Sequence, residues 1–237
     1  MKFDDLAKIY EDFKNRYGIE AYKYISEIFK IAKEIHIKQW EKSPTPGKDH
    51  EQSWKAFKGK NLEKLIIYII REEVERLGLK IVKGDVLERK DPKKLSEELS
   101  KVKRAVSINY GIYGLHLPDA DVIIYDPKTI KIICILSSKS TLRERIAETG
   151  YWKIKLSQDP VTKDIKFFFV TLDEDGDLLR KFPTKKGRAI AEVDTDGSYV
   201  MSEERVVESD KVKTFDKFIK DLEVIVKKAK RESFNKY

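Results

Sequence analysis

Two short apolar runs near the middle of the chain constrain its fold more than any other feature. Residues 120–125 and 130–136 are rich in β-branched side chains, and only the turn-forming sequence DPKT (126–129) separates them. Runs of this length and composition are typical of strands buried on both faces, which requires helices on both sides of a sheet. We therefore expect an α/β protein built around a buried β-hairpin.

Helical periodicity dominates the sequence on both sides of this hairpin. Apolar residues recur at helical spacing within residues 1–42, and Gly78 ends a second, long helical pattern. The remaining helices are predicted over 52–77, 93–103, 142–155 and 212–231. The remaining strands are predicted over 79–83, 165–172, 189–193 and 198–201, the last two paired as a hairpin. We interpret the whole as a central mixed β-sheet flanked by helices.

The segment SPTPGKDH (43–50) contains two prolines and a glycine, which is typical of a linker or loop. It predicts a boundary between an N-terminal helical subdomain, residues 1–50, and a second domain, residues 51–237.

Composition narrows the class of protein and its partners. The longest apolar runs are too short to span a bilayer, and the N-terminus has no secretory signal, so no membrane partner is expected. A single cysteine cannot form an internal disulfide, and with only three histidines it cannot build a zinc site. We therefore expect the protein in the cytoplasm. The formal net charge of +8 permits a polyanionic partner. Charged residues make up 38% of the chain, against three glutamines and four asparagines, a pattern that indicates a thermophilic source.

An acid and a lysine occupy the ends of the buried hairpin. If its loop is residues 127–129, Asp119 lies opposite Ser137, and Lys139 lies diagonally on the same face. A loop one residue longer would put Asp119 and Lys139 on opposite faces. Asp121 shares the face of Asp119 and is the alternative acid. A carboxylate beside a lysine suits phosphodiester hydrolysis, in which Mg²⁺ activates water and a lysine stabilises developing charge.

The motif around these residues has a specific resemblance. PD (118–119) followed by SSKSTLRER (137–145) resembles the PD-(D/E)xK type II restriction endonucleases that cut CCGG or CC(N)GG sites, the BsaWI-, AgeI- and EcoRII-like group. The resemblance covers about residues 51–172 and implies a restriction-endonuclease-like core, so we expect the domain of residues 51–237 to be catalytic. It also implies a Mg²⁺-dependent endonuclease in which Asp119, favoured over Asp121 by the motif, and Lys139 are catalytic.

In this group a serine replaces the acid two residues before the lysine, and a glutamate on the following helix takes its role. The resemblance therefore implies that Glu148 binds the metal together with Asp119, and that Glu63, on the long helix, is also catalytic. Glu63 projects from an apolar helix face, where a carboxylate needs a partner or a metal. Two alternatives stay open: Glu148 pairing with Arg145 on the helix surface, and Glu63 bonding the helix to the sheet.

The resemblance also implies that Arg143, Glu144 and Arg145 read bases. Arginine bonds bidentately to guanine and glutamate accepts from cytosine in the major groove. Thr141 and Glu144 have capping-box spacing, so Glu144 has a structural alternative. The expected partner is double-stranded DNA with a palindromic site, which a homodimer or higher homo-oligomer would cut.

Two other functions compete with the restriction enzyme. One is a structure-selective nuclease, either a junction resolvase or a repair nuclease, which would usually keep an acid two residues before the lysine. The other is a non-catalytic DNA-binding protein on the same core. The presence of Glu63, Asp119, Lys139 and Glu148 together argues against a decayed site.

Overall fold

The computed structural model describes residues 1–44, 47, 49–88, 94–142 and 145–234. The helices are α1 (Phe3–Tyr17), α2 (Ile25–Lys42), α3 (His50–Arg76), α4 (Gly84–Leu87), α5 (Glu97–Val106), α6 (Arg145–Ser157), α7 (Lys186–Asp194) and α8 (Phe218–Phe234). The strands are β1 (Lys80–Lys83), β2 (Ile108–Asn109), β3 (Leu115–His116), β4 (Val122–Tyr125), β5 (Ile132–Lys139), β6 (Lys166–Thr171), β7 (Gly197–Val200) and β8 (Val212–Thr214).

Within the described ranges, six strands form one mixed sheet in the order β1-β4-β5-β6-β7-β8, and β2 pairs with β3 separately. The pairs β1–β4 and β4–β5 are antiparallel. The pairs β5–β6, β6–β7 and β7–β8 are parallel. Parallel neighbours need crossover connections, and α6 and α7 provide them between β5 and β6 and between β6 and β7. The predicted mixed sheet with flanking helices is confirmed.

Helices cover both faces of the central strands. All of β4 is buried, and so is all of β5 except Lys139 at its end. One face packs against α3 and α8, in a cluster that also contains the buried side chains of α1 and α2. The other face packs against α5 and the end of α6. A helix long and apolar enough to cross a membrane is absent from the described residues.

Two predicted elements near the C-terminus are wrong. Residues 189–193, predicted as a strand in a hairpin with 198–201, lie within α7. The reason is topological: β6 and β7 are parallel, so the segment between them must cross over, and its alanine-rich sequence forms a helix. The single helix predicted over 212–231 begins instead as β8, and α8 starts at Phe218.

The predicted register of the central hairpin is also wrong. The loop is residues 127–130, and Ile130 in this loop adopts a φ of 60°. The Asp126 amide closes the loop by donating to the Lys131 carbonyl at 2.9 Å. That loop is one residue longer than predicted. The register then shifts again at Ile124/Tyr125, so Ile124 pairs with Cys134 and Val122 pairs with Leu136. A loop one residue longer would by itself turn the side chains of one strand to the opposite face. The second shift turns them back.

We predict that Arg188 makes a large contribution to stability. Its side chain is fully buried and donates to the carbonyls of Leu178 and Val207 and to the Glu192 carboxylate. Arg188→Met removes the guanidinium donor from the two carbonyls and leaves the Glu192 carboxylate with the hydrogen bond from the Ser209 hydroxyl, so the free energy of unfolding should fall by about 3–5 kcal/mol. Denaturant unfolding at pH 7 measures this loss. Arg180→Met, at an exposed position, is the control; equal effects of the two changes would contradict the prediction.

Candidate active site

Asp121 and Lys139 meet where the hairpin strands end. The Lys139 Nζ lies 3.0 Å from Asp121 Oδ2 and 3.3 Å from Oδ1. The backbone amide of Ser138 donates to the same Oδ2 at 2.5 Å, and its hydroxyl lies 3.2 Å from that oxygen. The side chain of Asp121 is 10% exposed and that of Lys139 is 23% exposed. The carboxylate is therefore fixed by three donors and still open to solvent on one side.

The corrected register explains why Asp121 makes this contact. Val122 pairs with Leu136, so the preceding residue, Asp121, lies opposite Ser137 if the register continues. The predicted register had placed Asp119 opposite Ser137. Asp119 is half-buried, and no hydrogen bond or ion pair joins it to Lys139 among the described residues. Both acids precede β4, and the contacts favour Asp121. The assignment of the catalytic role to Asp119 stays a prediction.

Glu63 of α3 lies in the electrostatic field of this pair. Burial raises its pKa above the ordinary value, and the nearby charge of Asp121 raises it further. The charges of Lys83 and Lys139 act in the opposite direction without cancelling the shift. Glu63 Oε2 lies 3.4 Å from the Nζ of Lys83, at the end of β1. Lys83 pairs in the sheet with Val122, the residue after Asp121, so its ion pair joins Glu63 to the strand next to Asp121. The structure thus adds Lys83, for which the sequence had no signal.

The other predicted residues lie on or just before α6. Glu148, in its first turn, has a side chain that is 42% exposed and lies 3.8 Å from Arg145. This is the helix-surface pair that stood as an alternative to metal binding, and no ion pair in the described ranges links Glu148 to Lys139. Arg145, the first residue of α6, has a side chain 59% exposed. Arg143 and Glu144 lie outside the described residues.

The loop at 173–177 supports the segment that leads from Lys139 to α6. The amide of Glu174 donates to the Ser140 carbonyl at 3.2 Å, and Asp175 Oδ1 accepts from the Leu142 amide at 3.4 Å. The buried carboxylate of Asp173 closes the loop by accepting from the backbone amides of Asp177 and Leu178. The sequence indicated a turn here but not its contacts with Ser140 and Leu142.

The carboxylates fit Mg²⁺ by their chemistry. Mg²⁺ needs one or two carboxylates and fills its other positions with water and substrate oxygens. Asp121 and Glu63 are two carboxylates whose mutual repulsion a cation would relieve. A ready-made cluster of three or more histidine, cysteine, aspartate or glutamate side chains is absent from the part of the chain that the structure describes.

Comparisons with known proteins agree with one another. The family model described as BsaWI restriction endonuclease type 2 matches residues 98–221. The putative type II restriction enzyme MjaVIP of Methanocaldococcus jannaschii is 42% identical over 182 residues, covering 75% of this chain and 78% of that protein. The probable type II restriction enzyme HpyAORF263P of Helicobacter pylori is 32% identical over 186 residues, covering 75% of this chain and 94% of that protein.

A solved structure supports the fold. The restriction endonuclease PspGI, in complex with substrate DNA, superposes with a TM-score of 0.55 at 16% sequence identity. The superposition covers 94% of this chain and 93% of that chain. The predicted restriction-endonuclease-like fold is therefore confirmed.

Proposed function

This chain belongs to the BsaWI family of type 2 restriction endonucleases, and we propose that it cuts double-stranded DNA at a short palindromic site containing CCGG or CC(N)GG, using Mg²⁺. The observation that carries the proposal is the contact of Asp121 with Lys139 at the end of the hairpin, with Glu63 in the same electrostatic field. We further propose that the enzyme acts in the cytoplasm and comes from a thermophile.

The side chains have separate roles in this proposal. Asp121 and Glu63 would hold Mg²⁺, with Glu148 as a further ligand if its side chain leaves Arg145. The bound ion would supply charge stabilisation and an activated water. Lys139, fixed by Asp121, would donate to the attacking water or to a phosphate oxygen as negative charge develops. Ser138 would keep the Asp121 carboxylate in one orientation through its amide and hydroxyl.

Base recognition is assigned to Arg143, Glu144 and Arg145 through the family resemblance and the exposure of Arg145 beside the site. We predict that Arg145→Gln lowers the cleavage rate at the preferred site by about tenfold to a hundredfold, because one bidentate contact to guanine contributes about 1–3 kcal/mol. Competition cleavage of matched and single-mismatch duplexes measures the loss. Arg205→Gln, at an exposed position in another loop, is the control; equal losses in both variants would contradict a role in reading bases.

A palindromic site implies two-fold symmetry in the enzyme, since each half-site needs its own reading and cutting residues. We therefore propose a homodimer or a higher homo-oligomer. Light scattering with and without a cognate duplex measures the mass. The same measurement on a protein lacking residues 1–50 tests whether the proposed N-terminal subdomain is separable and whether it contributes to assembly.

The activity is tested by incubating the purified protein with plasmid DNA and with branched DNA, with and without Mg²⁺, at temperatures up to its melting point. The proposal predicts discrete plasmid fragments that require the metal. Selective cutting of the branched substrate would instead indicate a structure-selective nuclease. Binding without cutting of either substrate would indicate a non-catalytic protein.

A further inference from the structure

The corner between β1 and α4 approaches the backbone next to the candidate site unusually closely. A Cβ atom built on Gly84 would lie 1.7 Å from the carbonyl oxygen of Ala120. The amide of Gly84 also donates to the carbonyl of Asp121 at 3.1 Å. Because backbone meets backbone here, no side chain fits at residue 84 without a shift of one segment. The corner is thus docked directly on the segment that carries Asp121.

Lys83 immediately precedes this glycine and reaches across to α3. It pairs in the sheet with Val122, the residue after Asp121. Its Nζ lies 3.4 Å from Glu63 Oε2 and 3.0 Å from Asp85 Oδ2. The side chains of Lys83 and Glu63 are only 20% and 24% exposed. The ammonium of Lys83, at the end of β1, therefore contacts Glu63 of α3 and Asp85 of α4.

The charges near Asp121 fall into two pairs. Asp121 has Lys139 as its partner, and Glu63 has Lys83. Lys83 Nζ lies between two carboxylates, Glu63 of α3 and Asp85 of α4, so its position is set from both sides. Without that ammonium, repulsion by Asp121 would favour rotamers that carry the Glu63 carboxylate away.

We propose that Lys83 is a positioning residue, held by the Gly84 contact, that keeps the Glu63 carboxylate beside Asp121 for divalent-cation binding. This inference rests on the proposed function, because it assigns a role to Lys83 in the same site. The pair differs from that of Lys80, also on β1, with Glu98 of α5. Their side chains are 53% and 34% exposed, which makes this an ordinary surface ion pair.

The test compares Lys83→Met, Lys83→Gln and Lys83→Arg with the control Lys80→Met. The first readout is Mn²⁺ affinity by electron paramagnetic resonance without DNA, and the second is the single-turnover cleavage rate at saturating DNA. Partners that orient metal ligands contribute about tenfold to a hundredfold to affinity or activity. We expect a loss of at least about tenfold in both readouts for Lys83→Met and Lys83→Gln, substantial recovery in Lys83→Arg, and no change in Lys80→Met. The KM for DNA should not change.

A double-mutant cycle with Glu63→Gln separates positioning from general stabilisation. If Lys83 acts through Glu63, Lys83→Met should change Mn²⁺ affinity by less than about twofold once Glu63 is already Gln. An equal loss in both backgrounds, or no loss in the wild-type background, would overturn the inference. Wild-type protein that cuts no DNA would defeat the proposed function, while the Mn²⁺ cycle would still decide the role of Lys83.

Discussion

Lys139→Ala is expected to reduce the rate of DNA cleavage by about a hundredfold to a thousandfold, the range for losing one group that stabilises developing charge. Lys139 is the one residue of β5 that is not fully buried, and its Nζ is fixed by both oxygens of Asp121. Its removal takes a positive charge from the reacting phosphate without altering the buried strand. Single-turnover cleavage with Mg²⁺ measures the rate, and duplex binding with Ca²⁺ in place of Mg²⁺ should stay within a few-fold of wild type.

Lys166→Ala is the matched control for this change. Lys166 begins β6, the neighbour of β5, and pairs with Cys134, five residues before Lys139. Its Nζ lies 3.1 Å from an aspartate, Asp196. Losing this lysine breaks an ion pair of similar length without touching the candidate site. A cleavage rate for Lys139→Ala within tenfold of the control would remove Lys139 from the mechanism.

Asp121→Asn is expected to reduce cleavage by about a thousandfold or more, whereas Asp119→Asn should stay within about tenfold of wild type. A ligand of the catalytic metal contributes several kcal/mol to the stabilisation of the transition state, and about 4 kcal/mol corresponds to three orders of magnitude in rate. Asp121 contacts Lys139, whereas no hydrogen bond or ion pair joins Asp119 to Lys139 among the described residues. Cleavage rates of the two variants over a range of Mg²⁺ concentrations measure the difference.

The pair of variants is its own control, because both replace a carboxylate by an amide in the segment just before β4. The melting temperature of each variant checks that loss of the hydrogen bonds from Ser138 has not unfolded the Asp121 variant. A large loss in Asp119→Asn with little loss in Asp121→Asn would restore the assignment made from the motif.

The sequence predicted the buried parts of the fold well. The composition of β4, β5 and β6 indicates strands by itself, and the α3 pattern ends at a glycine. The strand predicted over 189–193 was wrong because its short apolar pattern is ambiguous, and only the parallel pairing of β6 and β7 requires a helix there. Pairing partners are not visible in a single sequence.

The site was predicted less completely, for a geometric reason. Lys139 and Glu63 were identified from the motif and the helix face. The choice between Asp119 and Asp121 depended on a register that two irregularities changed, the positive φ of Ile130 and the shift at Ile124/Tyr125. A β-branched residue rarely adopts positive φ, so the sequence favoured the shorter loop over the loop one residue longer. Lys83 enters the site only through the close approach at Gly84, which is a tertiary contact.

The most direct test of the central claim is to cut a long DNA of known sequence with the purified protein and Mg²⁺ and to sequence the ends. The account predicts discrete ends at one short palindromic sequence containing CCGG or CC(N)GG, present with the metal and absent without it. Ends scattered without sequence preference, or no ends at any temperature up to the melting point, would contradict it.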